Sequence, residues 1–528
     1  MSELRGVDEL RGVYDPEIMR HTVIDIVRRS AARTPDALAV SYQGTTYSYC
    51  ELLAAAYAAA GGLAAAGVGP GDRVAVYARN SDLYVISWLA TQALGAVHVP
   101  INFMLGAGEV AFILGHCEPA YALADGDLYD VLREAAEQAG VSTTLAVQHP
   151  RSGDRRSDLV LTAPGAGPGE FAAPSHADAV AQIAYTSGTE SRPKGAQLTH
   201  RALIAQYLSC IIDGEFSRAD RVLNALPLYH CAQMHVFLMP SLYLGAANYI
   251  IDAPTPDNMI AAVEEFEITS MFCPPTVWIG ILRSDAFDPN RLATVRKGYY
   301  GASIMPVETV KELSSVLPEM RLWNFYGQTE IAPLATVLPP HEQLTKPGSA
   351  GRAALNVETR VVDDDMNDVA VGEVGEVVHR SPQVMSGYYN DEKKTAEAFA
   401  GGWFHSGDLA TMDEDGYLTI VDRKKDMIKT GGENVASREV EEVLYEHAGV
   451  AEVAVIGLPD AKWIERVCAV VVPRADADTT ALSEELIAFG RDRLAGFKLP
   501  KQIELIDALP KNPSGKILKR ELRQRFSD

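Results

Sequence analysis

The sequence predicts an α/β protein: a large N-terminal domain of helix-covered β-sheets, a small β-rich segment and an α+β C-terminal domain. The first observation is a repeated helix-to-strand alternation in the first half of the 528-residue chain, which is typical of parallel sheets covered by helices. The second is a change to short alternating runs with turns after Val361. The third is a compact series of helices and strands after residue 424, about 100 residues long, a usual domain size.

The alternation begins in "YSYCELLAAAYAAAGGLAAAGVGPGDRVAVYARN", residues 47–80. An alanine-rich helix is expected to end at Gly67, Gly69 and Pro70, and a strand follows over 73–77. The same order recurs in "SWLATQALGAVHVPI" and "EVAFILGHCEPAYALAD". Parallel sheets covered by helices are therefore predicted for this part of the chain.

The β-rich segment contains "GEVGEVVHRS" and "GDLATMDEDGYLTIVDRKKDMI", with a hairpin turn predicted at Asp415-Gly416. Helix "SREVEEVLYEH", strands "VAEVAVIGL" and "VCAVVVP", and helix "LSEELIAFGRDRL" follow. These elements predict a domain division into residues 1–424 and 425–528.

Composition excludes several classes of protein. The formal net charge is -23, with 70 acidic and 47 basic residues, which argues against nucleic-acid binding because phosphate contacts need a basic face. The first thirty residues lack a signal-peptide pattern, and no apolar run reaches the roughly 18 residues of a membrane span. The six cysteines form no CxxC pair and have no histidine at zinc spacing. We expect a cytoplasmic protein with reduced thiols and no membrane span.

A loop with phosphate-binding composition, "YTSGTESRPKG", occupies residues 185–195. Its hydroxyls and backbone N–H groups suit an anion, and Lys194 supplies positive charge. It is not a Walker P-loop, because the lysine precedes its glycine, and a polar surface loop is the alternative. Glu190 lies inside it, and we expect this carboxylate to turn outward and pair with Arg192 or Lys194.

Seven further motifs follow in order: "NALPLYH" (224–230), "YYGAS" (299–303), "NFYGQTE" (324–330), "GRA" (351–353), "WFHSGDLA" (403–410), "DRKKDMIKTGGENV" (422–435) and "PKNPSGKILKREL" (510–522). With these motifs the chain resembles the acyl-adenylate-forming superfamily, most closely its acyl-CoA synthetases, over residues 22–526. The resemblance implies three substrates or cofactors, ATP, Mg²⁺ and coenzyme A, besides a carboxylic acid. The acid would be converted to acyl-AMP with release of pyrophosphate, and the acyl group would then pass to the CoA thiol.

The resemblance assigns the phosphate contacts to the loop residues Thr186, Ser187, Gly188, Thr189 and Lys194. Glu330 and Thr186 would help to hold Mg²⁺, since a glutamate near phosphate is repulsive unless a dication lies between them. A solvated loop acid is the alternative for Glu330.

Other matches imply the adenosine contacts. Asp408 resembles the acceptor of the ribose hydroxyls and Arg423 the cation near ribose and phosphate, although a turn-capping role for Asp408 is an alternative. The residues expected around adenine are Gly301, Ala302, Ser303, Tyr326, Gly327 and Thr329. Glycine permits close approach and Tyr326 offers a flat face, although a core tyrosine is the alternative.

Two residues are expected near the reacting groups. Lys516 matches the lysine that bridges the acid carboxylate and the α-phosphate in this family. His230 matches a histidine near the acyl carboxylate and phosphates, and a packed structural histidine is the alternative. His230 is not expected to be a general base, because a carboxylate is already ionised at neutral pH.

For the thioester half, the resemblance implies a mobile C-terminal domain that rotates about a hinge at Lys425. Gly431 and Gly432 would let the backbone approach the pantetheine arm of CoA. Trp463 and Phe497 are further candidates near CoA, or simply core aromatic residues.

The acid pocket is expected to be largely apolar, consistent with an aliphatic or aryl acid. Its predicted residues are Tyr207, His230, Met234, Phe237, Tyr299, Tyr300, Gly301, Gln328 and Ile331. Tyr300 stands where many relatives have glycine, so its ring should shorten the pocket and favour short- to medium-chain aliphatic acids. His235 is either a polar contact or an ordinary core histidine. An aryl or branched acid, or a carrier protein as acceptor, are the alternatives, and a homodimer is possible.

Overall fold

The structure is a computed structural model that describes residues 21–148, 176–186, 193–303, 305–431, 433–460, 462–475, 477–491, 493–511 and 517–527. It confirms the α/β class, with helices on both sides of sheets in the larger N-terminal part and a smaller α+β unit at the C-terminus. The predicted residues Ser187, Gly188, Thr189, Glu190, Gly432 and Lys516 lie outside these ranges.

The helices in the described ranges are α1 Val23–Arg33, α2 Tyr49–Ala65, α3 Asp82–Ala93, α4 Ala107–Cys117, α5 Tyr129–Ala139, α6 His200–Asp213, α7 Met239–Leu244, α8 Pro256–Phe266, α9 Pro275–Arg283, α10 Val307–Val316, α11 Glu392–Ala398, α12 Ser437–Tyr445, α13 Leu482–Arg491 and α14 Lys519–Phe526. A π-helix, Ala232–Leu238, precedes α7. The local sequence explains where some of these helices begin. Ser48 and Glu51 form a reciprocal capping box at α2.

The strands of the two large sheets are β1 Leu38–Tyr42, β2 Thr45–Ser48, β3 Arg73–Tyr77, β4 Val97–Ile101, β5 Tyr121–Ala124, β6 Thr144–Val147, β7 Val180–Thr186, β8 Lys194–Thr199, β9 Arg221–Asn224, β10 Ala247–Ile250, β11 Ser270–Phe272, β12 Lys297–Gly301, β13 Arg321–Gly327, β14 Leu334–Leu338 and β15 Arg352–Ala353.

The remaining strands are β16 Glu358–Val362, β17 Gly375–Arg380, β18 Gly387–Tyr388, β19 Phe404–Met412, β20 Leu418–Arg423, β21 Ile428–Thr430, β22 Glu433–Val435, β23 Val450–Asp460, β24 Ile464–Pro473 and β25 Gln502–Leu505. Strands β16, β17, β19 and β20 form one antiparallel sheet. Strands β21 to β25 form the C-terminal sheet.

The two large sheets enclose a layer of helices. The seven-stranded sheet has the order β18-β8-β7-β4-β3-β5-β6, and the nine-stranded sheet has the order β15-β14-β13-β12-β11-β9-β10-β1-β2. Tyr207 of α6 packs in one buried cluster with Val76 of β3, and Phe237 of the π-helix packs in another with Trp323 of β13. Helices α4 and α5 cover the outer face of the first sheet, and α8 to α10 that of the second. The result is a five-layer arrangement.

The junction with the C-terminal unit follows β20. Strand β20 ends at Arg423 in the four-stranded sheet, and β21 begins at Ile428 in the C-terminal sheet. The Asp422 carboxylate accepts hydrogen bonds from the backbone N–H and the hydroxyl of Ser437, at 2.6 and 2.7 Å. The first turn of α12 is therefore held against β20. The division at residue 425 and the mobility of the C-terminal unit stay predictions.

One structural finding concerns the prediction that the chain has no membrane span. None of the helices in the described ranges combines the length and the apolar composition needed to cross a membrane.

Candidate active site

The phosphate loop is anchored at both ends by the β7–β8 hairpin. Thr186 and Lys194 are register partners at the open end of this antiparallel pair. Residues 187–192 between them lie outside the described ranges. The antiparallel pairing of β7 with β8 thus brings the predicted hydroxyl and the predicted cation side by side, although they are eight positions apart in sequence.

Glu330 lies in a 3-10 turn, Thr329–Ile331, directly after β13. Its Oε1 accepts a 2.9 Å hydrogen bond from the hydroxyl of Tyr388. The Nζ of Lys194 lies 5.1 Å from the centroid of the same tyrosine ring, within the usual range of a cation–π contact. Tyr388 therefore joins the predicted metal ligand to the predicted phosphate cation. We call Lys194, Tyr388 and Glu330 the phosphate-side group.

A second cluster gathers the predicted ribose residues. Asp408 of β19 and Arg423 of β20 are register partners, with Arg423 Nε 3.2 Å from Asp408 Oδ1. The hydroxyl of Tyr326 donates a 2.6 Å hydrogen bond to Asp408 Oδ2. Burial, reinforced by the negative charge of Asp408, raises the pKa of Tyr326 well above its usual value. We call Tyr326, Asp408 and Arg423 the ribose-side group.

The glycines of the predicted adenine region are required by the sheet. A Cβ at Gly301 would lie 2.3 Å from the carbonyl oxygen of Phe325, and one at Gly327 would lie 1.8 Å from that of Pro333. The close approach at Gly301 is therefore to the neighbouring strand β13. Ala302 has a positive φ of 64° and Ser303 is exposed, so the chain turns sharply where β12 ends.

His230 lies at the start of the π-helix and is half-buried. Its Nδ1 accepts a 3.2 Å hydrogen bond from the backbone N–H of Ala232. The neighbouring Cys231 Sγ lies 3.3 Å from the hydroxyl of Thr329, which connects this turn to the turn that carries Glu330. The backbone N–H of Gln328 donates to the Pro333 carbonyl. These contacts hold the predicted His230, Gln328 and Thr329 in adjoining segments.

The predicted acid-pocket residues fall into separate clusters. Phe237, Tyr299 and Ile331 pack together with Trp323 and Phe325 in an aromatic-rich cluster, against which Tyr326 also packs. Phe237 and Tyr299 have ring centroids 5.2 Å apart.

Tyr300 requires a correction. Its ring lies on the opposite face of β12, in the cluster formed with α8 to α10, and its hydroxyl donates to Gln343 Oε1 at 2.8 Å. Successive residues of a strand point to opposite faces, so Tyr300 cannot share a face with Tyr299. The expectation that the Tyr300 ring shortens the acid pocket does not hold.

Tyr207 and Met234 lie in the core between the two sheets. The hydroxyl of Tyr207 is 2.8 Å from His235 Nδ1, and His235 Nε2 is 3.0 Å from Gln182 Oε1. His235 is fully buried, and burial, with a smaller effect of His98, lowers its pKa to about 3. His235 is therefore a neutral core histidine in this arrangement, the second of the two alternatives drawn from the sequence.

The predicted CoA residues are partly assembled. The Gly431 N–H donates to the Trp463 carbonyl at 2.8 Å, and a Cβ at Gly431 would lie 2.8 Å from the Trp463 ring. Trp463 and Phe497 are both more than a third exposed, which argues against the core alternative for each. Lys425 is exposed in the segment between β20 and β21.

The donors present fit Mg²⁺ and a nucleotide. In the described part of the chain no group of three or more His, Cys, Asp or Glu side chains could hold a metal by itself. Mg²⁺ typically takes one or two protein carboxylates together with substrate phosphates and water, and Glu330, which Tyr388 links to Lys194, is a carboxylate of this kind. The hydroxyls of a ribose suit the Asp408 carboxylate as hydrogen-bond acceptor.

Tyr388 is the site residue that sequence reasoning missed. It lies in "SGYYN", a run that reads as an ordinary turn. Its position depends on the pairing of the two-residue strand β18 with β8, and its partner Glu330 is 58 positions away. No local pattern signals either contact.

Comparison with known proteins shows the family to which the chain belongs. Residues 27–389 match the family model of AMP-binding enzymes, and residues 439–516 match that of the AMP-binding enzyme C-terminal domain. A feruloyl-CoA synthase of Amycolatopsis sp is 38% identical over 94% of this chain and 98% of that protein. An indoleacetate–CoA ligase of Aromatoleum aromaticum is 32% identical over 94% of this chain and 97% of that protein. The crystal structure of ATP-bound MatB from Rhodopseudomonas palustris has a TM-score of 0.87 at 30% identity, covering 96% of this chain and 99% of that one.

The family models and the curated relatives define the class of ATP-dependent, acid-activating enzymes. The chain belongs to the AMP-binding enzyme family, that is, the acyl-adenylate-forming superfamily. Within that family it is an AMP-forming acyl-CoA synthetase, a ligase.

Proposed function

We propose that the protein activates a compact carboxylic acid, preferably one bearing a planar ring, as acyl-AMP and transfers the acyl group to CoA. The observation that carries this proposal is the segment from Tyr326 to Glu330. It begins in the ribose-side group and ends in the phosphate-side group. A segment of five residues thus carries a proposed nucleoside contact at one end and a proposed phosphate-side contact at the other. One bound nucleotide needs both kinds of contact.

In the first half-reaction a carboxylate oxygen of the acid attacks the α-phosphorus of ATP, and the bond to the pyrophosphate oxygen breaks. An anion approaches a polyanion, so fixed positive charge must lie where negative charge develops. Lys194 supplies it beside the β- and γ-phosphates and Lys516 between carboxylate and α-phosphate. Glu330 and Thr186 would hold Mg²⁺, which would supply charge neutralisation for the phosphates.

No general base is needed in this half, because the acid is ionised at neutral pH. His230 acts as a contact for the carboxylate or the phosphates. Its Nδ1 accepts a hydrogen bond from the Ala232 N–H, which orients the ring.

In the second half-reaction the CoA sulfur attacks the acyl carbonyl carbon, and AMP leaves with the bonding electron pair. We assign Gly431 and Trp463 to the pantetheine arm, because Gly431 presents bare backbone beside an aromatic face. In this proposal, rotation about Lys425 brings Lys516 to the site for the first half-reaction and Gly431 for the second.

Three fully buried rings support the preference for a compact acid. Phe237, Tyr299 and Trp323 have at most 1% of their surface exposed, so no solvent-sized space runs past them. A long alkyl chain that ran past them would have to displace this wall, so the packing favours an acid that ends before it. The two curated relatives named above act, by their names, on ring-bearing acids. A short- to medium-chain aliphatic acid is the second candidate, since the aliphatic side chain of Ile331 belongs to the same cluster.

The experiment is acyl-CoA detection by mass spectrometry over a panel of aryl, branched and linear acids, with ATP and Mg²⁺, each with and without CoA. Ring-bearing acids should give the highest rates. Phe237→Leu should extend the range to longer acids, while Tyr300→Phe, on the other face of β12, should leave it unchanged. A maximum at linear aliphatic acids would support the second candidate. Acyl-AMP that persists when CoA is present would move the protein to the carrier-loading class. A cytoplasmic location and a homodimer stay predictions.

A further inference from the structure

The backbone of Tyr388 is held by strand pairing with β8 and by a hydrogen bond to the side chain of Thr395. It lies in β18, whose pairing with β8 places it opposite Ala196, two residues after Lys194. Its N–H donates a 2.9 Å hydrogen bond to Thr395 Oγ1. The Thr395 hydroxyl in turn donates to the backbone carbonyl of Asp391, just before α11. The ring therefore has a defined position beside the end of the phosphate loop.

The hydroxyl of Tyr388 orients the carboxylate of Glu330. It donates to Oε1, while Oε2 has no hydrogen-bond partner among the described residues. One carboxylate oxygen is thus held and the other is left for a cation.

The ring of Tyr388 faces the ammonium group of Lys194, at 5.1 Å from the centroid. Lys194 forms no ion pair with a described residue. A neutral aromatic face attracts the ammonium group without neutralising its charge, whereas a carboxylate partner would compete with phosphate for it. The contact holds Lys194 in place without neutralising its charge.

We propose that Tyr388 is a positioning residue that sets Glu330 for Mg²⁺ and Lys194 for phosphate at the same time. This inference rests on the proposed function, because it assumes that ATP and Mg²⁺ bind at the phosphate-side group. One side chain then links the metal ligand to the phosphate cation. Mg²⁺ and ATP binding should be coupled through it.

The test is equilibrium binding of ATP, by isothermal titration calorimetry without acid, over a series of free Mg²⁺ concentrations. Tyr388→Phe keeps the ring and loses the hydroxyl, so half-maximal binding should need about 3- to 10-fold more Mg²⁺, the scale of a typical net hydrogen-bond contribution. Mg²⁺-free ATP binding should not change. Tyr388→Leu should weaken both. Tyr389→Phe, the adjacent half-buried tyrosine, is the matched control and should behave as wild type.

The coupling between Glu330 and Tyr388 gives a second measurement. In Glu330→Gln the hydroxyl has no carboxylate to orient, so adding Tyr388→Phe should change the Mg²⁺ dependence no further. A Tyr388→Phe protein with a lower melting temperature but wild-type Mg²⁺ dependence would overturn the proposal, since the contact would then be only structural. An equal shift in Tyr389→Phe would overturn it as well. A wild-type protein that binds no ATP at any Mg²⁺ concentration would overturn the proposed function and this inference together.

Discussion

The hydroxyl of Tyr326 donates a 2.6 Å hydrogen bond to Asp408 across the junction between the nine-stranded sheet and the four-stranded sheet. Asp408 is only 5% exposed, and Arg423 pairs with its other oxygen. The carboxylate is therefore oriented by two fixed donors before any ligand arrives. A preoriented acceptor loses little freedom on binding, so this contact should be visible in the affinity for ATP.

We expect Tyr326→Phe to raise the KM for ATP by about 3- to 10-fold, the scale of a typical net hydrogen bond, and Asp408→Asn by about 10- to 100-fold, the range for hydrogen bonds to a charged group. The larger effect follows because asparagine removes the charge that pairs with Arg423. Initial rates of pyrophosphate release at varied ATP measure both, with exposed Asp365→Asn as control. An unchanged KM for ATP in Asp408→Asn would contradict the assignment of the ribose-side group.

Lys516→Ala should lower the rate of adenylation by about 10²- to 10³-fold, the scale of losing one preorganised charge donor. Conversion of synthetic acyl-AMP to acyl-CoA should stay near wild type. Separate assays of the two half-reactions measure this. Lys511→Ala is the matched control, because Lys511 forms a surface ion pair with Glu452 and such pairs contribute little. Near-normal pyrophosphate release in Lys516→Ala would remove Lys516 from the reaction.

Lys425→Pro should spare adenylation and slow thioester formation by at least about tenfold, because proline fixes φ at the proposed hinge. Rotation about this residue would also have to break the hydrogen bonds from Ser437 to Asp422. Lys425→Ala keeps the backbone free and serves as control. The same half-reaction assays apply. Equal losses in both halves for the proline variant would count against the hinge.

Stability should fall with acid because four histidines are buried. Burial lowers the pKa of His98 and His235 to about 3, and that of His200 and His379 to about 4, from about 6.5 in an unfolded chain. As pH falls below about 6.5, the unfolded chain binds protons first, so the free energy of unfolding decreases until the folded pKa is reached.

Urea unfolding at pH 7.5 and pH 5 measures this effect. Each such histidine with a folded pKa of about 4 should account for roughly 2 kcal/mol of the loss at pH 5. His379→Gln should reduce the pH dependence by this share, while the exposed His341→Gln should not. Equal stability at the two pH values would show that these histidines are protonated in the folded protein.

Much of the fold was readable from the sequence, because it is encoded locally. The alanine-rich run became α2 with its capping box, and the strand expected at 73–77 is β3. The Asp415-Gly416 turn joins β19 to β20. Hydrophobic periodicity and the residue types favoured in turns are sufficient to predict such elements.

Features that depend on long-range packing were not readable. The seven-residue π-helix at 232–238 has no local signature. Alternation places Tyr299 and Tyr300 on opposite faces, but only the packing of the helices decides which face meets Phe237. The sequence motifs identified Glu330 and Lys194 separately and did not indicate that one side chain contacts both. The tyrosine that joins them is placed by strand pairing across the fold.

The central claim is that this site forms an acyl-adenylate reversibly. Acid-dependent exchange of labelled pyrophosphate into ATP, without CoA, tests it most directly, since the exchange needs only the first half-reaction and its reversal. We expect exchange with at least one ring-bearing acid, none without acid, and a loss of about 10²-fold or more in Glu330→Gln, with exposed Glu308→Gln as control. Release of ADP and phosphate with no exchange for any acid would contradict the account.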